Sequence, residues 1–148
     1  MNRVAEESGL AARFADTASA ELRFVMVSRA RMAVMNWEFL RHQGATDVLA
    51  FDLAARAVFR VPGEPVVVGE VYVCPEVALA AAGKFANTPE AELLLYMVHG
   101  VLHLTGEDDH EPAGRRRMRH LEKRVISRAL AGMTAAELLC VEGVQPVR

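Results

Sequence analysis

Residues 88–106 read TPEAELLLYMVHGVLHLTG, and this stretch decides how the chain folds. Thr88 offers a capping hydroxyl, Pro89 takes the first helical position, and Glu90 follows with acid in the first turn. Leu94, Leu95, Met97, Val98, Val101, Leu102 and Leu104 then cover so much of the helix that it must be largely buried. Gly106 stops it. A central apolar helix needs other elements around it.

Outward from this helix, strands lie mostly in the chain before it and helices in the chain after it. Residues 21–27 (ELRFVMV), 48–53 (VLAFDL) and 66–74 (VVVGEVYVC, broken by Gly69) read as strands, rich in β-branched and aromatic residues. Residues 1–20 are Ala-rich and read as a helix. Ser28 caps a second helix in which Met32, Met35, Phe39 and Leu40 recur at helical spacing and which Gly44 ends. Residues 75–86 read as another helix, and Val61 to Pro65 as a turn between strands. Glu111-Pro112 opens a long last helix with Met118, Leu121, Val125, Ile126, Ala129 and Leu130 as its apolar stripe. This order predicts an α+β fold, a small and mostly N-terminal sheet packed by helices.

The chain has 148 residues, of which 52% are hydrophobic and 24% charged, which excludes a disordered or collagen-like chain and predicts a single domain over 1–148. With a formal net charge of −2, nucleic-acid binding would need a local basic patch. Cys74 and Cys140 form no framework and read as buried thiols in a reducing compartment. The N-terminus lacks the apolar core of a signal peptide, and no run of 18 apolar residues spans a membrane, so a soluble cytoplasmic protein is expected. The aromatics Trp37, Tyr72, Tyr96 and six Phe are sparse, and core packing is expected of most of them rather than base stacking.

Three of the five histidines, His99, His103 and His110, fall within twelve residues. His99 and His103 stand four apart on the central helix, so they share one face. Two imidazoles on a buried helix are costly without partners, and one metal ion partners both. His110, just past the helix-ending Gly106, is placed to complete three protein ligands with one open position, the pattern of a catalytic zinc site. Imidazoles also suit nickel and copper. The motif is H-G-x-x-H, and Gly100 cannot act as the general base that the Glu of H-E-x-x-H supplies in peptidases.

The stretch HGVLHLTG (99–106) resembles the signature H-G-x-L-H-L-x-G-Y-D-H of the YbeY family of endoribonucleases, also called rRNA maturation factors. TDVLAF (46–51) resembles that family's T-D-V-L-S-F strand, GEVYVC (69–74) its G-D-I-x-I segment, and Met35-Asn36 its L-N pair. The three blocks stand in the family's order, and the resemblance covers about residues 20–130. It implies an α+β fold with one zinc ion held by three histidines. It also implies cleavage of single-stranded RNA in ribosomal RNA maturation, chiefly at the small-subunit 3′ end, and in ribosome quality control.

The chain departs from that pattern twice. The family's third His falls at Asp109, with His110 one place later. Either could be the third ligand, and His110 is favoured because a loop absorbs one residue easily; Asp108 and Asp109 would then orient a ligand histidine. The family's catalytic arginine falls at Leu40, with Arg41 next to it as its candidate replacement and His42 beside that. The last helix carries Arg115, Arg116, Arg117, Arg119, Lys123, Arg124 and Arg128. These make either a solvated face or a phosphate-tracking one, with Arg115, Arg116 and Arg119 nearest the histidines as RNA-binding candidates. The expected reading is metal-assisted cleavage of an RNA phosphodiester, with the small ribosomal subunit as a potential partner. A non-catalytic ribosome-assembly factor with a structural metal is the alternative, and a metalloprotease ranks last.

Overall fold

The computed structural model describes residues 2–14, 20–54 and 65–141. Its elements are α1 (Asn2–Ser8), α2 (Leu10–Arg13), β1 (Ala20–Met26), α3 (Arg29–Leu40), β2 (Val48–Asp52), β3 (Val66–Val73), α4 (Pro75–Phe85), α5 (Pro89–Leu104), α6 (Pro112–Leu130) and α7 (Ala135–Val141). The three strands form one mixed sheet in the order β1-β3-β2, with β1 parallel and β2 antiparallel to β3. The class is α+β, as expected.

Alternation along the strands builds two layers of core. Met26, Val48, Val71 and Val73 face the larger layer, formed with α1, α4, α5, α6 and α7. Val27, Leu49 and Cys74 face the other, where α3 supplies Met32 and Met35. Burial of neighbours on both faces explains why VLAFDL reads as a nearly continuous apolar run.

Helix α5 lies at the centre. Leu94, Met97, Val98, Val101 and Leu102 are all at most 1% exposed. Gly100 permits this packing: a Cβ there would lie 2.5 Å from Val71 Cγ1 and 3.0 Å from Val48 Cγ2. Both neighbours are β-branched and stiff, so neither can yield. The glycine between the two histidines therefore seats the helix directly on the sheet.

Several boundaries differ from expectation. The first helix is two short ones, broken at Gly9. Helix α3 ends at Leu40, not at Gly44, because Arg41 takes a left-handed conformation (φ 60) with its N–H on Trp37 O. Buried Asn36 then donates from Nδ2 to Gly44 O at 2.9 Å, folding residues 41–44 back against the helix. Gly69 does not end β3, but the pairing with β1 slips beside it: Glu21 pairs with Val67 and Leu22 with Gly69, so Val68 is the extra residue. Helix α7 has no counterpart in the expected elements. The expected turn at 61–65 lies largely outside the described residues. Trp37, Phe39 and Phe85 are 49%, 59% and 72% exposed, so core packing is the wrong reading for these three aromatics.

Candidate metal centre

His99 and His103 project from α5 toward α6, with side chains 20% and 31% exposed. Each has one ring nitrogen engaged from behind. His99 Nδ1 lies 2.7 Å from Glu122 Oε1 on α6, and His103 Nδ1 lies 3.0 Å from the carbonyl of Glu107. A carbonyl and a carboxylate can only accept, so both Nδ1 atoms carry the proton. In the neutral rings both Nε2 atoms are then bare acceptors. They face each other at 2.9 Å. Two lone pairs at that distance repel unless a cation lies between or beside them.

The third group converges on the same point. Asp109 Oδ2 lies 3.8 Å from His99 Nε2, and Oδ1 lies 3.8 Å from His103 Nε2. His99, His103 and Asp109 thus form a set of donors able to hold a metal ion. His110 points elsewhere: its side chain is 87% exposed and its Nε2 lies 3.6 Å from Asp108 Oδ1. Asp108, Asp109 and His110 form a second, more exposed group.

The turn after α5 brings Asp109 in. Gly106 adopts φ 93, donating to His103 O, while Glu107 N reaches back to Leu102 O at 3.1 Å. These paired bonds reverse the chain. Arg115 at the start of α6 then donates to the carbonyls of Asp109 and His110, and Arg117 pairs with Glu107 at 2.7 Å. Arg115 and Arg117 are thereby committed to the turn, while Arg116 and Arg119 are exposed on the same helix.

Electrostatics match a cation site. Burial lowers the His99 pKa, but the hydrogen bond and charge of Glu122, with Asp109 and Asp47 behind, outweigh it, and the net shift is upward. Asp108 is held below the usual carboxylate range, chiefly by the His110 backbone N–H. Among the described residues no hydrogen bond or ion pair joins the Arg41 side chain to the histidine group. Its guanidinium lies 5.7 Å from the centroid of the Trp37 ring. His42 is exposed.

Glu122 is the residue that motif reading missed. It keeps the proton on His99 Nδ1 and so keeps Nε2 free for a ligand. Replacing Glu122 by alanine is expected to weaken metal affinity about 10–100-fold, the usual effect of removing such a partner. Competition against a chromogenic chelator measures this; unchanged affinity in a folded Glu122→Ala protein would refute the role.

An α+β fold that brings two imidazoles and a carboxylate together beside a charged helix carries a candidate centre for a metal ion. The family model described as Endoribonuclease YbeY matches residues 1–130. The Endoribonuclease YbeY of Salinispora tropica is 38% identical over 115 residues, 73% of each chain. That of Beutenbergia cavernae is 37% identical over 115 residues, 76% of this chain and 77% of its own. The solution structure of TM1509 from Thermotoga maritima superposes with a TM-score of 0.55 at 25% identity, covering 99% of this chain and 90% of that one. The chain belongs to the endoribonuclease YbeY family.

Proposed function

We propose that this chain is a zinc-dependent, single-strand-specific endoribonuclease of the cytoplasm. In this reading it acts as one domain over residues 1–148 on ribosomal RNA, at the small-subunit 3′ end and in ribosome quality control. One observation carries the metal part of the reading: the two Nε2 atoms of His99 and His103 face each other at 2.9 Å with both Nδ1 protons already committed. The names of the relatives carry the RNA part. Two imidazoles and a carboxylate suit zinc, which when bound polarises a phosphoryl oxygen and lowers the pKa of its water toward about 7.

Asp109 is the third ligand in this proposal, in place of the expected His110. Its support is the pair of 3.8 Å approaches to the histidines, together with the 87% exposure of His110. The other roles fall to the chain's own side chains. Glu122 and the Glu107 carbonyl fix the two tautomers. Arg116 and Arg119 on α6 meet phosphates of the bound strand, with Arg115 holding the ligand turn instead. Arg41, at the C-terminal end of α3, is the candidate to meet a phosphate of the bound strand beside the centre.

The test is cleavage of a single-stranded ribosomal RNA fragment by the protein as purified, after chelation, and after zinc is restored. Cleavage is expected to fall to background on chelation and to return with zinc. Zinc bound at one equivalent with no cleavage in any sample would favour a non-catalytic assembly factor instead.

A further inference from the structure

Helix α3 is built the wrong way round for a surface helix. Met32, Met35 and Asn36 face the sheet, so the opposite stripe should be polar. Instead it carries Val34, Trp37 and Leu40, which are 46%, 49% and 52% exposed. Residues 37–44 are exposed without interruption. Arg41 closes the stripe with its guanidinium over the Trp37 ring, with Glu38 next to Trp37 in the chain. Arg31 lies off the stripe, in the groove over the sheet with Glu70 and Tyr72.

A flat aromatic with an arginine stacked on it matches unpaired bases on a phosphate backbone. Bases supply π-faces and phosphates supply negative charge, and any base sequence satisfies both. The patch also has a physical link to the metal centre. Asp47 lies six positions after Arg41, a reach of at most about 20 Å. Asp47 precedes Val48, whose Cγ2 would lie 3.0 Å from a Cβ at Gly100, between the two histidines, and the Asp47 carbonyl is tied to Cys74 N at 3.0 Å.

We propose that Trp37 and Arg41 form a stacking platform for an unpaired base of the RNA strand that enters the metal centre. This rests on the RNA-cleaving reading above and adds a subsite to it. The platform discriminates single strands from duplexes, because a paired base has no free face to offer.

Trp37 is the one tryptophan of the chain, so it reports on its own contact. The zinc-loaded protein would be mixed with a short single-stranded oligoadenylate in a stopped-flow fluorimeter, so that emission is read before cleavage. Saturable quenching is expected with the oligoadenylate and little with a duplex of equal length. By anisotropy of a labelled oligoadenylate, Trp37→Ala should bind about tenfold more weakly, within the range of one base–aromatic stack. Trp37→Phe should recover most of that loss, and in Trp37→Ala the change should fall on KM with kcat retained. RNA that is bound and cut normally while Trp37 emission stays constant, or an unchanged KM in Trp37→Ala, would overturn the platform alone. Concentration-dependent self-association abolished by Trp37→Ala would overturn it too, by giving the stripe to a second copy. Failure of the wild-type protein to bind or cut RNA would overturn the platform together with the reading beneath it.

Discussion

Alanine at position 103 is expected to abolish RNA cleavage while the protein stays folded. His103 sits in the last turn of α5 with a side chain 31% exposed, so its removal opens no buried cavity. Alanine is also the better helix former. What is lost is one Nε2 lone pair and the bond to the Glu107 carbonyl that steadies the turn. A site with one imidazole and one carboxylate cannot retain zinc against a chelating buffer. The measurements are RNA cleavage, zinc content by mass spectrometry and the circular dichroism spectrum. Cleavage should reach background, zinc should be absent and the helical signal should stay within error. A folded His103→Ala protein that still cuts RNA at a substantial rate would remove the metal from the reaction.

The second large effect separates two neighbours. Asp109→Ala is expected to weaken zinc binding by more than about 100-fold, beyond the usual cost of losing a supporting partner. His110→Ala is expected to leave it within about twofold, since an exposed side chain away from the ion adds little. Asp109→His supplies an imidazole at the position where the family has its third histidine, and should keep zinc bound. Competition titration against a chelator ranks the three. The opposite order, with His110→Ala the damaging change, would mean that the 107–110 turn rearranges when metal enters. The choice matters for charge: with Asp109 the loaded centre carries about one positive charge, and with three neutral imidazoles it carries two.

Local signals explain which parts of this arrangement are legible in the sequence. The Thr88 cap, Pro89, the apolar periodicity and Gly106 all lie within or beside α5, and each acts over a few residues, so that helix and its histidine pair can be read from spacing. The choice of a third donor cannot, and spacing leaves Asp109 and His110 both open. The path of the turn depends on Arg115, whose guanidinium reaches back to the carbonyls of Asp109 and His110. A bond of that kind cannot be inferred from the loop's own residues. Glu122 stands 23 residues from His99, yet it leaves a trace. It lies four residues after Met118 and three before Val125, an acid on the buried stripe of α6, where a charge needs a partner. Trp37 is misjudged when Met32, Met35, Phe39 and Leu40 are read as one inward stripe. The buried set is Met32, Met35 and Asn36, which turns Leu40 and Trp37 outward. Helix α7 has only seven residues, too few for a periodic signal.

The proposed ligands come from parts of the molecule expected to breathe at different rates. His99 and His103 belong to a helix whose flanking residues Val98, Val101 and Leu102 are all at most 1% exposed. Its amides should exchange with solvent deuterium only through global unfolding. Asp109 belongs to a surface turn closed by arginines of α6, where opening is local and far more frequent. Such a centre is a fixed jaw and a hinged one. The ion would enter and leave past the Asp109 turn, and the half-life of the loaded protein would track the opening of that turn and not the stability of the fold.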